Sequence, residues 1–236
     1  MKGMGITQFV KKKFTYINIG EEFKGLMGDM TATFMGVVYA PSGSGKTELC
    51  VRIAKGLTKY GKVAWLSYEQ GHDADLQRAM IRNEMHDYAG TFIPFDPMEK
   101  LPKAREGESM PDLLFRDFVD FLKKKNSPKY VFIDSIDYTG WNTDHYKELK
   151  KLFKGKKGII FIGHVKGRSP KLQITKDIEY DGQFGIYVRE YVAYVVKSRL
   201  GGKKPFVIWP EEVQERIERN PKSYPVEVHE LLNGLL

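Results

Sequence analysis

The chain has 236 residues, a single cysteine (Cys50), and 38 Lys and Arg against 30 Asp and Glu, for a formal net charge of +8. That length allows one large domain with a core that needs no covalent staples, and a lone cysteine excludes disulfides within the chain. The positive balance suits a polyanionic partner such as nucleic acid, or simple solubility. The N-terminal stretch lacks the apolar segment of a signal peptide, and no apolar run approaches the roughly 18 residues of a membrane helix. A cytoplasmic protein without membrane contact is expected.

In chain order, residues 1–34 read as an N-terminal arm, with a Lys11-Lys12-Lys13 run and a short strand over 14–19. The core, 35–210, alternates strand and helix patterns. Strands are expected at 35–40, 62–68, 91–95, 130–133 and 158–163, and helices at 46–60, 73–85, 111–125 and 144–153. In the third helix Leu114, Phe115, Phe118, Phe121 and Leu122 recur at 3–4 spacing, as a half-buried helix requires. Alternation of this kind implies a mostly parallel sheet covered on both faces. Residues 165–184 read as a long loop. The runs 185–199 and 205–209 have no helix between them and read as antiparallel strands added to the sheet. A short charged helix, a Pro-containing break and a small terminal helix make a tail over 211–236.

The first strand runs into Ala40-Pro41-Ser42-Gly43-Ser44-Gly45-Lys46-Thr47-Glu48. A strand, a small-residue loop ending in Gly-Lys-Thr, and then a helix form a phosphate-binding P-loop. Backbone N–H groups and the helix N-terminus cradle a nucleoside triphosphate, so residues 40–48 are the expected ATP-binding stretch. Lys46 is expected to reach the β- and γ-phosphates, and the Thr47 hydroxyl to ligate Mg²⁺. Ala40 stands where the strict motif has its first glycine.

Three further strands end in polar residues. Tyr130-Val-Phe-Ile-Asp134 places a carboxylate where a P-loop enzyme orients Mg²⁺ through a water, with Asp137 as the rival acid. Glu69 closes the run from Val63 and is placed to polarise an attacking water. His164 closes the run from Gly158 and is placed to sense the γ-phosphate.

With these residues the chain resembles the RecA/DnaB-type P-loop ATPases over residues 30–210. That resemblance implies a RecA-like α/β fold, a mostly parallel central sheet flanked by helices with an antiparallel extension on the C-terminal side. It matches Glu69 to the catalytic glutamate and Asp134 to the Walker B acid. His164 stands where the class usually carries Gln. The resemblance also matches Lys197-Ser198-Arg199 to a Lys-x-Arg pair that, in related members, enters the neighbouring subunit's ATP site. It therefore implies a homo-oligomer, ring or filament. The compact core is similar to RecA-like ATPases of bacteriophages and mobile elements, placing the protein in a bacterial or phage-infected cytoplasm. Loops at 136–144 and 165–176 correspond to those that hold single-stranded DNA in the class. Tyr138 and Trp141 offer rings for stacking on bases, and Lys166, Arg168, Lys171 and Lys176 offer charge for phosphates. The lysine-rich stretch 147–157 reads as a solvated outer face.

The chain lacks the Leu-Ser-Gly-Gly and Asn-Lys-x-Asp motifs of two other P-loop classes. The expected function is Mg²⁺-dependent ATP hydrolysis acting on DNA in recombination or replication, with ATP at subunit interfaces. Two alternatives stand beside it: an ATP-gated binding or assembly module with little turnover, and a helicase core that needs a partner chain.

Overall fold

Runs such as Val131-Phe132-Ile133 are apolar at successive positions, so a strand made from them must be covered on both faces. The computed structural model, which describes residues 3–235, covers them with helices on each side of one nine-stranded sheet. In chain order the elements are α1 (Ile6–Val10), β1 (Tyr16–Ile17), α2 (Lys24–Met27), β2 (Met30–Thr31), β3 (Phe34–Ala40), α3 (Lys46–Leu57), β4 (Val63–Ser67), α4 (Ala74–Arg82), β5 (Phe92–Phe95), α5 (Met110–Lys123) and β6 (Tyr130–Asp134). They continue with α6 (Thr143–Phe153), β7 (Gly158–Lys166), β8 (Ser169–Pro170), α7 (Gln173–Asp181), β9 (Phe184–Arg189), β10 (Val192–Ser198), β11 (Phe206–Val207), α8 (Pro210–Arg219) and α9 (Val226–Asn233).

The sheet order is β11-β10-β9-β3-β7-β6-β4-β5, with β8 paired to the end of β7. Side chains alternate between the faces. Phe34, Val38 and Ala40 of β3, Trp65 of β4 and Phe132 of β6 pack with α3 and α4. Met35, Val37 and Tyr39, with Val131 and Ile133, pack with α5, α6 and α7 on the other side. Among the described residues, no helix is long and apolar enough to cross a membrane.

Two expectations change in the second half of the sheet. Residues 165–184 are not a long loop: they hold the β7–β8 hairpin and α7. Helix α7 has no side-chain cap and no acid in its first turn, so only the Ile174/Ile178 pair marks it, and both side chains are buried. Because α7 carries the chain across the sheet, β9 enters parallel to β3. The antiparallel extension begins one strand later, at β10 and β11.

The expected arm joins the main core early. Ile17, Ile19, Phe23, Leu26, Met27 and Met30 pack in the same cluster as α3. Gly56 of α3 lies directly beneath this crossing, where a Cβ would come 2.1 Å from the Ile19 carbonyl oxygen. At the other end, Val213, Val228 and Leu232 of α8 and α9 close over Val192 and Val207 in a small third cluster.

Candidate nucleotide site

Parallel strands deliver their C-terminal ends to one edge of the sheet, and the expected phosphate-loop residues sit there with Glu69, Asp134 and His164. Strand β3 ends at the fully buried Ala40. The turn after it uses Gly43 (φ 71°) and Gly45 (φ 89°) in the left-handed region, where glycine carries no steric cost. Gly45 is doubly constrained, because a Cβ there would lie 2.9 Å from the Tyr191 ring.

Most of the stretch from Ser42 to Thr47 borders one cleft of about 370 Å³, together with Glu69, Asp134 and His164. Lys46 is buried, and its Nζ donates to the Gly163 carbonyl at 3.4 Å. The other N–H donors of that ammonium remain for a ligand. His164 Nε2 lies 2.9 Å from Glu69 Oε2, and the His164 backbone N–H donates to Asp137 Oδ2 at 2.8 Å. Asp137 therefore secures β7, while Asp134 borders the cleft. The Glu69 carboxylate also holds the Tyr138 hydroxyl above its ordinary pKa range. A larger cleft, about 1180 Å³, lies between the outer side of α3 and residues 204–207 and contains neither Glu69 nor Asp134.

Burial pushes the Asp134 carboxyl up to about 6; Lys46 opposes this, Glu69 adds to it and His164 opposes it. A carboxylate raised on folding destabilises the fold once both states are ionised. The penalty is absent near pH 3–4, grows as pH rises towards 6 and is complete above it. Asp134→Asn is therefore expected to stabilise the ligand-free chain by about 1–3 kcal/mol at pH 8 and by nothing at pH 4. Urea unfolding at the two pH values checks this, and equal midpoints at pH 8 would refute it.

A buried acid facing a cleft suits a cation. Among the described residues, no group of three or more His, Cys, Asp or Glu could cage one. Asp134 and the Thr47 hydroxyl would have to share the ion with ligand oxygens and water, which is how Mg²⁺ is commonly held.

Glu48 borders the same cleft, and its carboxylate accepts from Asn83 Nδ2 at 2.7 Å and Arg82 Nη2 at 3.0 Å, tying α3 to α4. Other expected residues lie elsewhere. Trp141 does not offer a ring to bases: it is 3 % exposed and packs against Tyr68, Phe115 and Phe118. Tyr138 is exposed, as are Lys166, Arg168, Lys171 and Lys176.

Lys197 and Arg199 are far from this chain's own phosphate loop. Strand β10 runs antiparallel to β9, away from that edge. The Arg199 N–H bonds to Gln183 O, and the Gln183 N–H bonds to Met35 O. Arg199 is thus level with Met35, about 16 Å of strand below Ala40. Lys197 Nζ is buried without a hydrogen-bond partner among the described residues and lies 5.3 Å from the Tyr180 ring centroid. Burial and Arg199 both push its pKa down.

Sequence reasoning missed Tyr191, Trp209 and Arg82, which also border the cleft. Tyr191 reaches it from a two-residue turn in which Glu190 (φ 50°) and Tyr191 (φ 63°) are both left-handed. Such turns usually announce themselves with Asn or Gly, and this one has neither. The Tyr191 N–H bonds to the Ser44 carbonyl at 3.1 Å, and its ring meets Trp209 edge-on at 5.8 Å. Arg82 lies 5.7 Å over the Trp209 ring.

No protein-family model matches the chain, and no curated protein matches it in sequence. Solved structures do. A KaiC-like protein of the hyperthermophilic archaeon Pyrococcus horikoshii OT3 superposes with a TM-score of 0.59 at 17 % identity, covering 82 % of this chain and 94 % of that one. A second solved structure, an isolated ATPase domain, superposes with a TM-score of 0.49 at 14 % identity, covering 74 % and 80 %. The parallel order of the core strands, the glycine turn before α3 and the archaeal likeness together give this chain a RecA-like P-loop fold.

Proposed function

We propose that the chain is a Mg²⁺-dependent ATPase that works as a homo-oligomer on single-stranded DNA, in recombination or replication. The observation that supports it is the meeting of Lys46, Asp134 and Glu69 in one cleft above the glycine turn. Lys46 and the loop N–H groups bind the phosphates, and Asp134 and Thr47 hold the metal. When bound, Mg²⁺ supplies positive charge against the phosphate oxygens. Glu69 takes the proton of the attacking water. The exposed cations of the β7–β8 hairpin and of the start of α7 face the strand's phosphates.

Equilibrium binding of a fluorescent ATP analogue, followed by phosphate release with and without Mg²⁺ and oligothymidylate, tests this. Removing a buried, hydrogen-bonded charge from an ion pair costs about 30-fold or more in affinity. Lys46→Ala is expected to lose at least that, and chelation to abolish release. Unchanged affinity in Lys46→Ala would refute the nucleotide site; release that ignores the oligonucleotide would refute the DNA part.

One contact supports a second reading, an ATP-gated binding module with little turnover. His164 already holds the carboxylate that would activate water.

A further inference from the structure

A second concavity, of about 330 Å³, opens beside the nucleotide cleft. Its floor is the outer face of β9 and β10, where Tyr187 and Tyr194 are cross-strand partners. The Tyr187 ring is held against Tyr39 at 5.6 Å. One wall is Ser223 and Tyr224, between α8 and α9; another is Arg168, exposed at the tip of the β7–β8 hairpin. Arg189 completes the site. Its Nε and Nη2 both donate to Glu190 Oε1, at 3.2 and 3.1 Å, leaving the rest of the guanidinium fork for a ligand.

We propose that this concavity binds a nucleobase together with its adjacent phosphate. The volume sits at the lower end of ligand pockets. Flat tyrosine faces accept any base by stacking, and guanidinium groups match phosphate oxygens. The lone acid of the lining, Glu190, is paired with Arg189, so among the described residues Arg168 supplies the site's unpaired positive charge and Arg189 its free N–H donors. None of these residues except Arg168 belongs to the loops singled out for DNA, and the proposal rests on the reading that the chain works on nucleic acid.

The site is joined to the nucleotide cleft through two residues. The Tyr224 hydroxyl donates to the Glu190 carbonyl at 2.9 Å, and the next residue, Tyr191, bonds to Ser44 of the phosphate loop. Both turn residues occupy a left-handed backbone region that disfavours any residue but glycine. The one turn therefore borders both cavities, Glu190 on this side and Tyr191 on the nucleotide side.

The same chemistry is offered by a strand and by a free nucleotide, so two titrations separate them. One uses labelled oligothymidylate, the other thymidine monophosphate in saturating ADP. Arg168→Ala and Tyr194→Leu are compared with the native chain, with thermal melts as a folding control. Each substitution is expected to weaken binding by about tenfold, and Arg168→Ala to lower the salt slope by about 1. Weakening by Tyr194→Leu in the first titration alone assigns the site to a strand, weakening in both assigns it also to free nucleotide, and weakening by Arg168→Ala alone returns the contact to the hairpin and overturns this site. Native oligonucleotide binding that neither substitution changes overturns this site and leaves the DNA reading standing. A native chain that binds neither probe overturns both. ATP affinity measured on the same native preparation reports on the phosphate loop separately.

Discussion

Glu69→Gln is expected to slow phosphate release by about 10²–10⁴-fold while ATP affinity stays near that of the native chain. The substitution keeps size and shape, and a glutamine oxygen still accepts a hydrogen bond from His164 Nε2, now 2.9 Å from Glu69 Oε2. What it removes is the ability to take a proton. The side chain stands two residues beyond β4, beside the strand that ends in Asp134: Ser67 pairs with Asp134, and the Glu69 N–H bonds to the Asp134 carbonyl at 3.2 Å. In the proposed reaction, any water polarised by Glu69 would therefore lie on the same side of the phosphates as Asp134. Single-turnover release, compared with multiple turnover, is the measurement. If the native chain and Glu69→Gln release phosphate at the same near-zero rate, the ATP-gated module replaces the ATPase. If Glu69→Gln is as fast as an active native chain, the base is another residue.

How the His164 contact behaves decides what the hairpin beyond it can report. His164 belongs to β7, three residues before the hairpin tip begins at Gly167, and its carbonyl accepts the Lys171 N–H at 2.9 Å. In the proposed reaction, a γ-phosphate that drew Glu69 towards its water would compete with the imidazole for that carboxylate. The His164 ring would then move or find another partner, and Lys166, on the same strand, is tied into the hairpin by its pairing with Ser169. The resembled class usually carries Gln at this place; the histidine brings a ring that also meets Tyr138 at 6.3 Å.

That most of residues 41–48, Asp134 and Glu69 would meet in one cleft was legible, because each lies where an apolar run gives way to a charged or glycine-rich position. Such endings are local, and local signals survive in a single sequence. Trp141 was not legible. A tryptophan in a short polar connection looks the same whether it awaits a base or plugs a core, and its fate is set by Phe115 and Phe118, more than twenty residues upstream. The direction of β9 was hidden for a related reason. It depends on whether α7 exists, and α7 has no cap or first-turn acid to declare it. The Glu190-Tyr191 turn adopts its backbone against residue preference, so propensity points away from it. All three misses are places where distant packing outweighs local preference.

Arg199→Ala is expected to cut turnover by about 10³-fold or more with ATP binding retained, provided the arginine meets the transition-state phosphate of an adjoining subunit. The geometry excludes a role within one chain. Strand β10 returns from the phosphate edge, and Arg199 ends level with Met35 at the foot of β3. It is nonetheless exposed, close to Tyr16, Asp29 and Thr31, and so is free to meet another molecule. Its neighbour Lys197 is a buried ammonium over Tyr180, with acids Asp181 and Glu179 opposing the loss of its charge. Burying a cation without a hydrogen bond is costly, and a phosphate brought by a second subunit would relieve that cost. Mixing is the decisive measurement. In a head-to-tail assembly a Lys46→Ala subunit lacks its own phosphate grip but offers a sound arginine, and an Arg199→Ala subunit is its complement. An equimolar mixture is expected to restore roughly a quarter of the sites, since each needs one subunit of each kind in the right order. A mixture no more active than its components would remove Arg199 from the chemistry and leave it as a charged edge that discourages strand-to-strand aggregation.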